Sequence, residues 1–218
     1  MQLTGILGGA FDPIHFGHLR MAQELADALG LNEVRFIPTA FPPHRPQSQT
    51  SETHRIAMLR LAIDENSKFI CDDLEIQRYR EQQQPSYTIE TLLSLKQTVR
   101  SETTLCLLLG GDAFLGLPTW HRWEELLQHC HIVVAHRPNT RLEPGNFPQL
   151  LKTVWEKSAT ADVGVLKQKR NGHILMQPIT ALDISATRIR NDLRQGKNPR
   201  YLLPDAVIDY IESEKLYR

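Results

Sequence analysis

The sequence has 218 residues, enough for one domain with a full hydrophobic core or a core domain with a small appendage. Its 25 lysines and arginines balance 25 aspartates and glutamates, so no global basic field attracts nucleic acid or a membrane surface, and any anion recognition must be local. Cys71, Cys106 and Cys130 are scattered without CxxC spacing, which argues against a disulfide framework or zinc ribbon; with no secretory pattern in residues 1–15 and no membrane-length apolar run, a soluble cytoplasmic protein is the expectation.

Along the chain, "LTGILGG" reads as a first strand ended by glycines. Leu19, Met21, Ala22, Leu25, Ala26 and Leu29 then fall at helical spacing, and Gly30 suits the C-cap. "EVRFIP" is a second strand, followed by a proline-rich polar loop and a helix, "SETHRIAMLRLAIDE", with Ser51 as N-cap. "FICDDLEI" predicts a short strand and its exit, "RYREQQQPSY" a polar loop, and "SYTIETLLSLKQTV" a helix capped by Ser86 or Thr88. "TLCLLLGGD" is a continuous apolar run that suits a buried parallel strand. "PTWHRWEELL" begins a short helix and "HIVVAHRP" is another buried strand. Residues 139–172 carry a weaker pattern, with a helix near 147–157. "HILMQP" is the last strand, and helices starting at Ser185 and within "LPDAVIDYIESEKLY" close the chain.

This alternation predicts an α/β fold: a single domain over residues 1–218, with a Rossmann-like, doubly wound, mainly parallel sheet and a C-terminal helical part. Ligands of such sheets bind beyond the carboxyl ends of the strands. The glycine-rich or polar segments 8–18, 39–46, 110–112 and 136–138 all follow strands and should gather on one edge.

The stretch "GGAFDPIHFGH", residues 8–18, holds His15 and His18 and leaves three roles open for them. As metal ligands they lack partners: zinc wants three or four donors, the cysteines offer none, and only Asp12 is near in sequence. As core residues they sit oddly among glycines, Pro13 and Asp12, which read as loop. As a phosphate cradle they explain more. Gly8 and Gly9 let backbone N–H groups approach a ligand, the following helix N-terminus favours anions, and two imidazoles add donors that can carry charge near neutral pH. No GxxxxGK[ST] and no GxGxxG after the first strand is present, so neither a P-loop NTPase nor a dinucleotide-binding dehydrogenase is indicated.

"GGAFDPIHFGH" resembles the first signature of the nucleotidyltransferases that carry an H-x-G-H motif, and "ISATRIR", residues 184–190, resembles their second. Within that superfamily, "PPHRP" (42–46), "PSYT" (85–88), "GGD" (110–112), "PTW" (118–120) and the closing "LLP…V…YI…LYR" resemble the bacterial nicotinate-mononucleotide adenylyltransferases, over nearly the whole chain. One departure is Ala10, where relatives often carry Thr or Ser; it removes a hydroxyl but no backbone donor. The resemblance implies attack by the phosphate of nicotinate mononucleotide on the α-phosphorus of ATP, giving deamido-NAD and pyrophosphate in NAD biosynthesis. Such a nucleophile is already mostly ionised at neutral pH, so the reaction needs alignment and charge stabilisation rather than a strong base.

By the same resemblance His15, His18 and Arg190 are the catalytic group, and ATP is bound by them with the backbone of Gly8, Gly9, Ala10 and Phe11, with Asp112 on a ribose hydroxyl, and with Ser185 and Thr187. His44, Arg45, Tyr87, Thr88, Trp120 and Arg137 are implied for the mononucleotide, Tyr87 and Trp120 as pyridine contacts. Mg²⁺ is expected to arrive with ATP, with no dedicated protein metal site. Nucleic acid and membrane are not expected partners, and the oligomeric state is not readable. Two alternatives stay open: another transferase of the superfamily with nicotinamide mononucleotide or phosphopantetheine as acceptor, and a non-catalytic nucleotide-binding protein of the same fold.

Overall fold

The computed structural model describes residues 2–41, 48–136, 142–180 and 182–218. Seven strands form one sheet: β1 (Gln2–Gly9), β2 (Glu33–Pro38), β3 (Phe69–Cys71), β4 (Thr103–Gly110), β5 (His131–His136), β6 (Ala159–Thr160) and β7 (Ile174–Pro178). Their order is β3-β2-β1-β4-β5-β7-β6, and the pairs β1·β4, β4·β5, β5·β7 and β6·β7 are parallel. The strand order reverses at β1, whose carboxyl end runs into residues 8–18. β4 and β5 are buried along nearly their whole length, as an α/β sheet covered on both faces requires. The helices are α1 (Phe16–Leu29), α2 (Glu52–Ile63), α3 (Leu74–Gln82), α4 (Thr88–Thr98), α5 (Gly111–Leu115), α6 (Gln149–Ser158), α7 (Val163–Gln168), α8 (Ala186–Arg194) and α9 (Asp205–Ser213).

The chain divides into two compact units, each assembled from separate segments. The first comprises Met1–Leu7, Gln23–Val34 and Tyr87–Thr180. Its core includes Leu3, Ile6, Leu25, Leu29, Leu92, Leu107, Val133 and Ile174, all at most 2% exposed. Gly5 is required by packing here: a Cβ would lie 2.8 Å from Leu31 Cδ1 and 2.9 Å from Leu108 Cδ1. Gly30 ends α1 with φ +63°, the left-handed C-cap that its position after Leu29 predicts.

The second unit comprises Gly8–Ala22, Arg35–Ser86 and Ala181–Arg218. In it α2 packs on α9 and β3, and Phe11, Ile14, Phe36, Met58, Leu59, Ile189 and Val207 are buried. Ser51 caps α2 by accepting the His54 N–H at 3.4 Å. All three cysteines are free thiols.

Four local expectations change. Residues 78–82, read as polar loop, are the second half of α3, whose nearly all-polar sequence hides its period although Glu75 and Ile76 are buried. Neither Ser86 nor Thr88 caps α4: Tyr87 holds that position, and the Ser86 hydroxyl instead accepts from the Ala40 and Phe41 N–H groups at 3.1 and 3.2 Å. "PTWHRWEELL" gives two 3₁₀ segments, Leu117–Thr119 and Trp123–Gln128, separated by left-handed Arg122. The final helix stops at Ser213, and the chain leaves it through Lys215 and Tyr217, both with positive φ.

Candidate active site

The phosphate-cradle candidates lie in the second unit. β1 ends in Gly8 and Gly9, and the Gly9 carbonyl accepts the Thr39 N–H at 2.9 Å, which brings segments 8–18 and 39–41 together after their strands. A Cβ on Gly9 would lie 2.9 Å from the Phe11 ring, whereas Gly8 faces open space. Phe11 adopts φ +47°, a left-handed backbone that a bulky residue holds only when its surroundings enforce it. Its ring supplies that constraint: it is 2% exposed, tilted on Phe36 at 5.8 Å and edge-on to His18 at 5.2 Å.

Arg55 of α2, 2% exposed, donates from Nη1 to the Ala10 carbonyl at 2.6 Å and from Nη2 to the Thr39 carbonyl at 2.8 Å. Arg190 of α8 donates from Nη1 to the Asp12 carbonyl at 2.6 Å and from Nη2 to the Thr187 hydroxyl at 3.3 Å. The resemblance pointed Arg190 at phosphate; in the structure its Nη1 also ties down the loop that carries the histidines, while its Nε is buried without a partner.

The His15 carbonyl accepts the N–H groups of His18 and Leu19 at 2.9 and 3.2 Å, which puts His15 at the N-cap of α1 and His18 in its first turn. The two rings stack at 3.8 Å with 25° between planes. Gly17 makes that stack possible, because a Cβ there would lie 2.9 Å from His15 Nδ1 and 3.6 Å from the Cβ of Ile184. Ile184 opens the second signature, so the two distant motifs meet at this glycine. Nδ1 of His15 and Nδ1 of His18 are both buried with no hydrogen-bond partner. Two such ring nitrogens at one helix N-terminus are each able to donate or accept a hydrogen bond.

Burial pushes the His15 pKa down to about 4, opposed by a backbone hydrogen bond, and burial together with the His15 charge pushes His18 down to about 3. The expectation that these imidazoles carry charge near neutral pH is therefore corrected for the unliganded protein: both are neutral at pH 7, because desolvation outweighs every favourable interaction. Negative charge brought beside these rings would act in the opposite direction, since it raises the pKa of an imidazole.

Ser185 is the N-cap of α8, as its spacing predicts, but its hydroxyl makes no capping bond and is exposed, as is Thr187. That leaves a helix N-terminus whose side-chain cap is not engaged. Among the described residues no group of three or more His, Cys, Asp or Glu could hold a metal ion. The donor set here, imidazole, guanidinium and backbone N–H, suits an anion.

The other predicted residues that the structure describes lie in the first unit. Asp112 is exposed in the first turn of α5, directly after β4. Tyr87 and Thr88 start α4 and are half-buried, as is Trp120 at the end of the first 3₁₀ segment. His121, which the sequence left unassigned, lies 4.2 Å from the Tyr87 ring at 31°. Arg122 next to it bridges Glu90 and Glu125 at 2.7 Å each. His44 and Arg45, with the rest of "PPHRP", and Arg137 lie outside the described residues. Of the histidines outside the motifs, His131 is fully buried, pairing through Nε2 with the Lys169 carbonyl at 2.9 Å, and His54 meets the Tyr210 hydroxyl at 2.9 Å. Sequence reasoning missed Arg55 as the main loop anchor, because an arginine on a helix of alternating character reads as surface.

Residues 6–192 match the family described as cytidylyltransferase-like. The chain is 47% identical to a protein of Pseudomonas fluorescens named probable nicotinate-nucleotide adenylyltransferase, over 98% of this chain and 96% of that one. It is also 47% identical to a protein of the same name from Pseudomonas entomophila, over 100% and 96%. In fold it is similar to the Plasmodium falciparum nicotinic acid mononucleotide adenylyltransferase complexed with NaAD: TM-score 0.72, 20% identity, 100% of this chain and 98% of that chain.

Proposed function

The chain belongs to the cytidylyltransferase-like family and, within it, to the nicotinate-nucleotide adenylyltransferases; from that membership we propose that it transfers the adenylyl group of ATP to nicotinate mononucleotide. An oxygen of the mononucleotide phosphate attacks the α-phosphorus. The bond from that phosphorus to the β-phosphate oxygen breaks, pyrophosphate leaves, and deamido-NAD forms. The observation that carries the reading is the stacked pair His15 and His18, with two buried unpartnered nitrogens at the N-terminus of α1.

In this reading the ATP phosphates lie against the backbone N–H groups of Gly9, Ala10 and Phe11. His15 and His18 are neutral N–H donors in the free protein and gain positive character as phosphate approaches. Ser185, Thr187 and the N-terminus of α8 face the β- and γ-phosphates, and Arg190 contributes its charge while keeping the loop in place. His18 carries most of the charge that builds in the transition state. Asp112 accepts from the ATP ribose, Tyr87 and Trp120 flank the pyridine, Thr88 receives the nicotinate carboxylate, and His44, Arg45 and Arg137 add positive charge for the mononucleotide. Mg²⁺ would enter with ATP, held chiefly by the phosphates and water, and would neutralise charge there. We place the reaction in the cytoplasm; among the described residues no helix is long and apolar enough to cross a membrane.

The test is one assay: purified protein with Mg·ATP and, in parallel, nicotinate mononucleotide, nicotinamide mononucleotide or phosphopantetheine. Pyrophosphate release with nicotinate mononucleotide as the preferred acceptor is the expected result. Release only with phosphopantetheine, or with no acceptor, sinks the reading.

A further inference from the structure

Asp12 sits in the middle of a loop read as binding phosphate, where a free carboxylate would repel the ligand. It is 4% exposed, and its charge is taken up from two sides. The Tyr217 hydroxyl donates to Oδ1 at 2.6 Å and the Gln49 N–H donates to Oδ2 at 2.9 Å. The same residue's carbonyl takes the Arg190 bond, so side chain and backbone of Asp12 are both fixed.

Tyr217 lies 205 residues downstream of the carboxylate it holds. It reaches back because the chain hooks after α9: Lys215 and Tyr217 take φ +55° and +62°, and the Leu216 N–H returns to the Ile211 carbonyl at 3.0 Å. Two left-handed non-glycine residues within three positions are costly and persist where the surroundings hold them. Tyr217 is 8% exposed, and burial followed by the Asp12 bond raises its pKa, so it stays a hydrogen-bond donor at any working pH. Nothing in the chemistry of adenylyl transfer requires a tyrosine here, and its hydroxyl makes no contact with His15, His18 or the glycines that the structure records.

We propose that Tyr217 is a positioning residue for adenylyl transfer: through Asp12 its hydroxyl fixes the loop of residues 9–15, and with it the backbone donors and the His15–His18 stack. This rests on the adenylyltransferase reading. The link itself is separable from that reading, because loop order can be measured without substrate.

The experiment compares Tyr217→Phe, Asp12→Asn, the double variant and Tyr210→Phe, whose lost hydroxyl bonds His54 and not the loop. Tyr217→Phe is expected to lower kcat by about tenfold, the cost of a small misplacement of aligned groups, with KM for ATP changed far less. Asp12→Asn should cost a similar factor, the double variant no more than the worse single, and Tyr210→Phe less than about twofold. Without substrate, hydrogen exchange of the amides in residues 9–18 should quicken in Tyr217→Phe and Asp12→Asn and stay as in the parent in Tyr210→Phe. Unchanged kcat and exchange in Tyr217→Phe overturns the proposal, as do multiplicative losses in the double variant or an equal loss in Tyr210→Phe. If the parent protein transfers no adenylyl group, the functional reading fails, and the exchange comparison still decides whether Tyr217 orders the loop.

Discussion

Residues 9–18 and the aromatic group around Tyr87 are both candidate substrate contacts, yet they are held in opposite ways. In the first, Arg55, Arg190, Tyr217 and Gln49 hold the loop through its backbone and one buried carboxylate, and Phe11 and Gly17 fix its shape sterically. In the second, Tyr87, Thr88 and Trp120 are half-buried side chains, His121 is exposed, and the ion pairs nearby, from Arg122 to Glu90 and Glu125, lie at the surface. Surface ion pairs of this kind are screened by water and hold their surroundings only weakly. A rigid backbone cradle suits the reacting phosphates, whose transition state rewards alignment; adjustable side chains suit a ring that only has to be recognised.

The sharpest break in that comparison is His18→Ala. It should lower kcat by about 10²–10³ while the melting transition survives, the size of loss expected for one preorganised donor to transition-state charge. Near-full turnover would remove His18 from its role.

Next in size is the pH dependence of stability. His15 and His18 fall from 6.5 in the unfolded chain to about 4 and about 3 in the fold. Between those values the unfolded chain binds protons that the folded one does not, so stability is complete above about pH 6.5 and declines as pH falls towards about pH 4, by on the order of 1 kcal/mol per pH unit for the pair. Urea unfolding at pH 7 and pH 5 should show this loss in the parent and a smaller one in His18→Ala. Equal losses would place the acid sensitivity elsewhere.

Gly17→Ala follows. Its Cβ would press on His15 Nδ1, so kcat should fall by about tenfold with little change in KM for the mononucleotide. The smallest effect belongs to the looser region: Trp120→Ala should raise KM for the mononucleotide by about three- to tenfold, the worth of one aromatic contact, and KM for ATP less. If Gly17→Ala acted on KM and Trp120→Ala on kcat, the contrast between the two regions would be wrong.

The two halves of the proposed phosphate site were named from sequence because each is a local device. Glycines ending a strand, His-x-Gly-His opening a helix and Ser185 preceding another are all set by near neighbours in the chain. The loop anchors were not legible. Arg55 and Tyr217 act on residues 45 and 205 positions away, and no spacing rule announces such a bond. α3 was hidden for a related reason: its helix is polar, and only its tertiary setting buries Glu75 and Ile76.

By itself, then, the sequence determined the α/β alternation, six of the seven strands and the two signatures, because periodicity and capping are written in runs of a few residues. Tertiary structure alone decided the protonation of His15 and His18, the use of Arg190 as a loop anchor, and the reach of Tyr217 to Asp12. Each of these depends on how much water is excluded and on which distant group arrives, and both are properties of packing in three dimensions.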